Sequence, residues 1–165
     1  MQRTYSREEY LKKIDLIRGA SRPIAITTDI IVGFPGEKES DFEETLSLLD
    51  EVQYDNLFAF KYSPRPNTPS LAMMDAIPEE EKGRRLAALQ DKQREIQTKR
   101  HEALVGKTFE VLVSGKSRRE NQWFGYSTSH RVINFASQAN ELLGTYVQVY
   151  VTGTGPNNLA GEQVV

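Results

Sequence analysis

Two short stretches of this sequence carry residue types at a spacing that could hold a ligand. The first, Thr28-Asp29-Ile30-Ile31-Val32-Gly33-Phe34-Pro35-Gly36-Glu37, is an apolar, β-branched run that ends in a Gly-Phe-Pro-Gly turn. It reads as a strand, and in parallel α/β proteins ligands bind where strands end. Gly33 and Gly36 lack a Cβ, so a flat or phosphate-bearing group could approach the backbone there. The same glycines equally satisfy a tight turn's need for positive φ, and both readings stand. The second stretch, Phe60-Lys61-Tyr62-Ser63-Pro64-Arg65-Pro66-Asn67-Thr68-Pro69, leaves another strand-like run and should share a face with the first turn. Arg65 could grip a phosphate bidentately, or it is a solvated arginine on a proline-stiffened loop. Of the nearby carboxylates, Asp41 suits the first turn of a helix and Asp29, within a strand, is as readily structural.

A third pattern lies in the tail. Lys116-Ser117-Arg118-Arg119 precedes Trp123, Phe124 and Tyr126, and Arg131-Val132-Ile133-Asn134-Phe135 follows. Cations interleaved with aromatics suit single-stranded RNA, through phosphate pairing and base stacking. Trp123 and Phe135 also suit a barrel core, which leaves the cations as the RNA-facing candidates.

Composition narrows the chemistry. Hydrophobic residues make up 38% and charged residues 27% of the 165 residues, a balance that favours a folded, soluble domain. No apolar run approaches the roughly 20 residues of a membrane span, and the first residues lack the apolar core of a secretory signal. Residence in the cytoplasm and no membrane partner are the expectation. The cysteine count is zero and the only imidazoles are His101 and His130. Disulfides and thiolate-held zinc or iron–sulfur sites are therefore excluded from these residues, and no metal site is expected. The net charge is −2, but residues 106–165 hold five cations and four anions, leaving the tail mildly basic.

These residues need elements to position them. Ser6 and Glu9 have capping-box spacing ahead of a helix that Gly19 can end. Pro23 opens the apolar run 24–32, continuous enough for a strand buried on both faces. Ser40-Asp41-Phe42-Glu43 reads as a second capping box before a helix with Phe42, Leu46 and Leu49 on one face. Residues 56–62 read as another strand, 63–76 as a proline-rich loop, and Pro78 as the first position of a helix running to about Leu104. The order α-β-α-β-α implies parallel strands. Two such strands leave unpaired edges and apolar faces, which points to missing partner strands. After Gly106, runs at 107–115, 121–127, 131–135, 145–152 and 159–165 have the spacing of a small all-β barrel. The expected domains are residues 1–104 and 105–165.

Taken together and in this order, the motifs resemble the tRNA methylthiotransferases of the MiaB type. The likeness rests on Met1-x-Arg3-x-Tyr5-Ser6, the 28–37 run, Asp41-Phe42-Glu43-x-Thr45, Tyr62-Ser63-Pro64-Arg65-Pro66, Arg131-Val132-Ile133-Asn134-Phe135 and Asn157-Asn158-Leu159-x-Gly161. The resemblance implies the last part of a radical-SAM partial (β/α) barrel followed by a small TRAM barrel, related to the OB fold, that grips tRNA. It implies that intact members use S-adenosylmethionine and two 4Fe–4S clusters to place a methylthio group on C2 of isopentenyl-adenosine beside the anticodon. Carried over residue by residue, Ile31, Val32, Gly33, Phe34, Pro35, Gly36 and Glu37 resemble the turn that packs against S-adenosylmethionine. Tyr62, Ser63, Arg65, Asn67 and Thr68 resemble the substrate-side rim. Lys116, Arg118, Arg119 and Arg131 stand where cations of the TRAM barrel would meet the anticodon stem-loop. Asn67 replaces the family's usual glycine and Lys38 its common threonine. Without cysteines the chain can ligate neither cluster, so the cluster-bearing N-terminal part is an expected partner and the chain alone is expected to be inactive. A stand-alone RNA-binding module with a vestigial α/β half is the alternative, and an unrelated nucleotide-using α/β enzyme is a third reading. An upstream C-x-x-x-C-x-x-C would favour the first of the three.

Overall fold

The computed structural model describes residues 4–73, 77–117 and 121–164. The chain divides into two compact units, residues 1–97 and 98–165.

The first unit has the element order α1 (Arg7–Arg18), β1 (Thr27–Val32), α2 (Glu39–Val52), β2 (Asn56–Lys61), a 3-10 turn at Pro69–Ala72 and α3, which begins at Glu79 and continues to Glu102. The capping box read at Ser6 is present: its hydroxyl accepts from the Glu9 amide at 3.2 Å and the Glu9 carboxylate accepts from the Ser6 amide at 2.8 Å. The second box is displaced from its expected place. Helix α2 starts two residues earlier, with Lys38 as N-cap, and the Asp41 carboxylate accepts from the Lys38 amide at 2.8 Å. Lysine has no acceptor to return the bond, so only half of the box forms.

β1 and β2 pair in parallel from Thr27↔Asn56 to Val32↔Lys61 and make a two-stranded sheet. One face is covered: Ile30, Val32, Leu57 and Ala59 pack with Ile14 of α1, Phe42, Leu49 and Val52 of α2, and Leu89 and Ile96 of α3. Each large side chain buried there stabilises the unit by about 1.5–3 kcal/mol. The expectation that β1 is buried on both faces is not met. Ile31 is 37% exposed, and Phe58 and Phe60 of β2 are 54% and 53% exposed, because among the described residues no helix covers the second face.

α3 carries an apolar stripe too thin to account for its burial. The inward positions 82, 85, 89, 93 and 96 follow helical spacing, but three of them are Lys82, Arg85 and Gln93, all buried. The apolar stripe is thus extended by polar side chains. Gln93 donates to the Tyr54 carbonyl at 3.0 Å, and the two cations find carboxylates.

The second unit is a closed five-stranded barrel in the order β3-β4-β5-β7-β6, with β3 at Thr108–Lys116, β4 at Gln122–Ser127, β5 at Val132–Ala136, β6 at Tyr146–Thr154 and β7 at Leu159–Val164. All five fall within two residues of the runs read from sequence; Val165 lies outside the described residues. Neighbours are antiparallel except β5 and β7, which pair in parallel. Alternate residues point inward, so Val111, Val113, Trp123, Ile133, Phe135, Val149, Val151 and Leu159 form the core. Trp123 is 3% and Phe135 0% exposed, as their core reading expects. Irregularities in register fall between Val113 and Gly115 and between Val151 and Gly153, where strand curvature is needed to close a small barrel.

Candidate functional site

The parallel pairing of β1 and β2 puts their carboxyl ends side by side. Val32 is the register partner of Lys61, and the Tyr62 amide donates to the Val32 carbonyl at 2.8 Å. The Gly33–Glu37 turn and the start of the 62–68 loop therefore meet. The Phe34 and Tyr62 rings pack edge to face, with centroids 5.1 Å apart.

The turn is held from within and from α3. One oxygen of the Glu37 carboxylate accepts from the Gly33 amide at 2.5 Å and from the Phe34 amide at 3.1 Å. The other faces the Arg85 guanidinium at 3.0 Å, and Arg85 also reaches the Glu37 carbonyl at 3.2 Å. Glu81 and Glu39 complete the shell around Arg85, at 2.8 Å and 3.2 Å. Burial works against the Arg85 charge, yet hydrogen bonds to Glu81 and Glu37 and the field of both carboxylates hold its pKa above the ordinary value. Lys82 lies alongside, its ammonium 3.2 Å from Glu79 and 5.7 Å from the centre of the Tyr62 ring.

The two glycines of the turn differ in their surroundings. Gly33 has φ +73°, and a Cβ there would lie 2.5 Å from Lys82 Cγ, so the close neighbour is the lysine stem. Gly36 has φ +86° with nothing within 4 Å of its Cβ position. Gly36→Ala should therefore cost about 1 kcal/mol, the penalty of a left-handed conformation alone, and Gly33→Ala distinctly more. Urea unfolding followed by helical circular dichroism checks the ranking. Equal costs would mean that the Lys82 stem gives way freely.

Of the five rim residues, Ser63, Arg65 and Asn67 are exposed. Tyr62 is 7% exposed and its hydroxyl donates to the Ser70 carbonyl at 3.3 Å, so it is a post beneath the rim. Thr68 donates its hydroxyl to the Arg65 carbonyl at 2.7 Å, bracing the loop. Asn67 adopts φ +62°. That region favours glycine, and asparagine tolerates it better than most side chains, so the backbone shape is kept where glycine is usual. At Lys38 the departure does have a consequence: α2 has no side-chain cap where a threonine would supply one. Ile31 shares the uncovered sheet face with its register partner Phe60.

Of the four candidate cations in the barrel, the two that are described, Lys116 and Arg131, lie at opposite ends of β4. Lys116 is exposed, with its ammonium 5.4 Å from the Trp123 ring centre, beside the first residues of β4. Arg131 follows the turn at the other end of β4 and donates to the Ser129 hydroxyl at 2.6 Å. Arg118 and Arg119 lie outside the described residues, as do Met1 and Arg3 of the first motif.

Sequence reading missed two features. Lys82 and Arg85 sit at helical spacing with Leu89, a signal that was readable only once their carboxylate partners were known. The second is a groove on the outer face of the barrel, lined in part by Phe124, Asn134 and Asn158. Strict alternation of β4 and β5 around Trp123 and Phe135 points Phe124 and Asn134 outward, and that alternation was the available signal.

Residues 102–164 match the TRAM domain. Over its length the chain is similar to three proteins named tRNA-2-methylthio-N(6)-dimethylallyladenosine synthase. Identity is 57% to that of Solibacter usitatus, over 98% of this chain and 37% of that protein. It is 48% to that of Koribacter versatilis, over 99% and 38%, and 45% to that of Geobacter metallireducens, over 100% and 37%. The chain thus spans little more than a third of the length of these curated relatives. A cysteine-free α/β unit is followed by a closed barrel where the TRAM domain matches, and over its whole length the chain is similar to the C-terminal part of proteins named tRNA-2-methylthio-N(6)-dimethylallyladenosine synthase.

Proposed function

We propose that this chain is the C-terminal part of a radical-SAM enzyme that adds a methylthio group to C2 of isopentenyl-adenosine next to the tRNA anticodon. In this reading residues 1–104 complete the radical-SAM barrel and residues 105–165 grip the anticodon stem-loop. The observation that carries it is the collinear match of 98–100% of the chain to the synthases, joined to a closed barrel where the TRAM domain matches.

The residues present fit only part of what such an enzyme needs. They do not fit an iron–sulfur cluster: the sequence has no cysteine, and among the described residues no three His, Asp or Glu side chains are grouped to hold a metal. They do fit the adenosyl part of S-adenosylmethionine. Ile31 and Phe60 form an uncovered apolar shelf on the sheet, and the Cβ position of Gly36 is open. The Gly33 and Phe34 amides are committed to Glu37, so the chain's contribution there is packing and shape. S-adenosylmethionine, when bound, would supply the group that removes hydrogen from the adenine. Ser63, Arg65 and Asn67 are then the rim that faces the tRNA, while Tyr62 and Thr68 hold that rim in place. Lys116, Arg118, Arg119 and Arg131 meet phosphates.

The 165-residue chain should bind an anticodon stem-loop RNA with an affinity that falls as salt rises, each phosphate contact adding about 0.7–0.9 to the logarithmic slope. Arg118→Ala with Arg119→Ala should lower that slope by about one to two and weaken binding for every sequence alike. An unchanged slope would make the pair ordinary surface, and no binding by the parent chain would remove the RNA role.

A further inference from the structure

The outer face of the barrel holds a groove of about 760 Å³, within the size range of small-ligand sites. Its floor is set by strand register. Phe124 of β4 is the partner of Asn134 of β5, and Asn134 is the partner of Ala160 of β7. The small Ala160 leaves open the space between Asn134 and the turn joining β6 to β7, which carries Asn158. Gln122 lines the groove one outward position before Phe124, and Lys116 stands at its margin.

Two glycines seat these side chains. A Cβ on Gly115 would lie 3.0 Å from Phe124 Cε1, so the Phe124 ring rests against bare backbone on one side. A Cβ on Gly155 would lie 2.5 Å from Asn158 Oδ1, so the Asn158 amide is tucked against that turn, which the Gly155 amide closes by donating to the Asn158 carbonyl at 2.8 Å. Among the described residues the side-chain amides of Gln122, Asn134 and Asn158 have no hydrogen-bond partner. Each offers both donors and an acceptor. An aromatic ring, convergent amides and a marginal cation are the parts with which proteins hold one unstacked base.

We propose that this groove takes a single unstacked nucleobase of RNA, its face against Phe124, its polar edge read by Asn134 and Asn158, and its phosphate near Lys116. The proposal rests on the RNA-binding reading of the barrel and adds to it a base-selective site away from Arg131.

The test uses the full chain and short fluorescent oligoadenylate, oligocytidylate and oligouridylate, with binding read by anisotropy across a salt series. The parent should prefer one of the three. Asn134→Ala with Asn158→Ala should weaken the preferred oligomer about tenfold or more and level the three affinities, with the salt slope kept. Phe124→Leu should weaken all three by a similar factor. Gly155→Ala, at a backbone conformation open to alanine, should shift the Asn158 amide and act in the direction of Asn158→Ala. Lys116→Ala should lower the salt slope by about one and leave the preference intact. An unchanged urea-unfolding midpoint followed by far-ultraviolet circular dichroism certifies each fold. If the double asparagine variant binds the three oligomers as the parent does, the base site is wrong and the RNA role survives. If the parent binds no RNA at all, both are wrong.

Discussion

Alanine at Gly125 or at Gly161 is expected to unfold the barrel. Both glycines point into it, where neighbouring strands close over them. A Cβ on Gly125 would overlap the Leu112 carbonyl oxygen and lie 2.6 Å from Val111 Cγ1 and 2.9 Å from the Leu112 carbonyl carbon. A Cβ on Gly161 would overlap the Tyr150 carbonyl oxygen and lie 2.7 Å from Val149 Cγ1. The obstacles are backbone atoms of hydrogen-bonded strands β3 and β6, which cannot move without breaking the ladder. Overpacking that side-chain adjustment relieves costs about 1–3 kcal/mol, and these sites should exceed it. A barrel of this size has a total stability near the lower end of about 5–15 kcal/mol, so either change removes most of it. Trp123 is the sole tryptophan and is 3% exposed in the core, so its fluorescence during urea titration reports this unit. Gly153→Ala, with nothing within 4 Å of the new Cβ, is the control and should shift the midpoint little. A parent-like midpoint for Gly125→Ala would contradict the strand register itself.

The second large effect belongs to Arg85. Its side chain is 6% exposed and its principal partner, Glu37, 13%. Arg85→Met keeps much of the bulk but leaves the Glu37 carboxylate without its cation. Losing one partner of a buried pair costs about 3–5 kcal/mol, and the residual exposure of Glu37 and the other carboxylates lowers this to about 2–4 kcal/mol. Arg85→Lys restores charge without the fork that reaches three carboxylates, and should recover only part. Adding Glu37→Gln to Arg85→Met should return some of the loss, because it removes the stranded charge. Helical circular dichroism reads this unit, and an additive double variant would show that the two residues are not coupled. Acid should act through the same network. Hydrogen bonds from Arg84 and then Arg85 lower the Glu81 pKa from 4.5 to about 2. A carboxylate depressed in the folded state contributes stability above its unfolded pKa and loses it as pH falls. The loss should therefore run from about pH 4.5 down to about pH 2, and be smaller in Arg85→Met.

What could be read in the sequence follows from the range of the forces involved. The Ser6–Glu9 cap was legible because it is closed within four residues, and the barrel strands because inward Val, Ile and Phe alternate with polar residues between turns. The strand ends at 32 and 61 were correctly expected to meet, since parallel strands carry both loops to one edge. Three things depended on partners distant in sequence. The open face of β1 could not be told from a covered one, as the Ile-Ile-Val run is compatible with both. The roles of Lys82 and Arg85 had no local signature, because Glu37, which meets Arg85, lies 48 residues away. How far Lys116 stands from Arg131 was not legible either, since the length of β4 that separates them is set by the strand pairing. The groove at Phe124 and Asn134 was half visible: alternation put both outward, while their adjacency needed the register.

The two sheets of this chain differ in how they end, and this bears on how the chain behaves in concentrated solution. Every strand of the barrel has two neighbours, so no row of free amides and carbonyls is offered, and association through it must use side chains. Among the described residues β1 and β2 each have one strand neighbour. Their outer edges are templates for strand addition, flanked by the bare Ile31, Phe58 and Phe60. Self-association of this chain, when it occurs, should begin on the α/β half, and covering that sheet rather than stabilising the barrel is the route to suppress it.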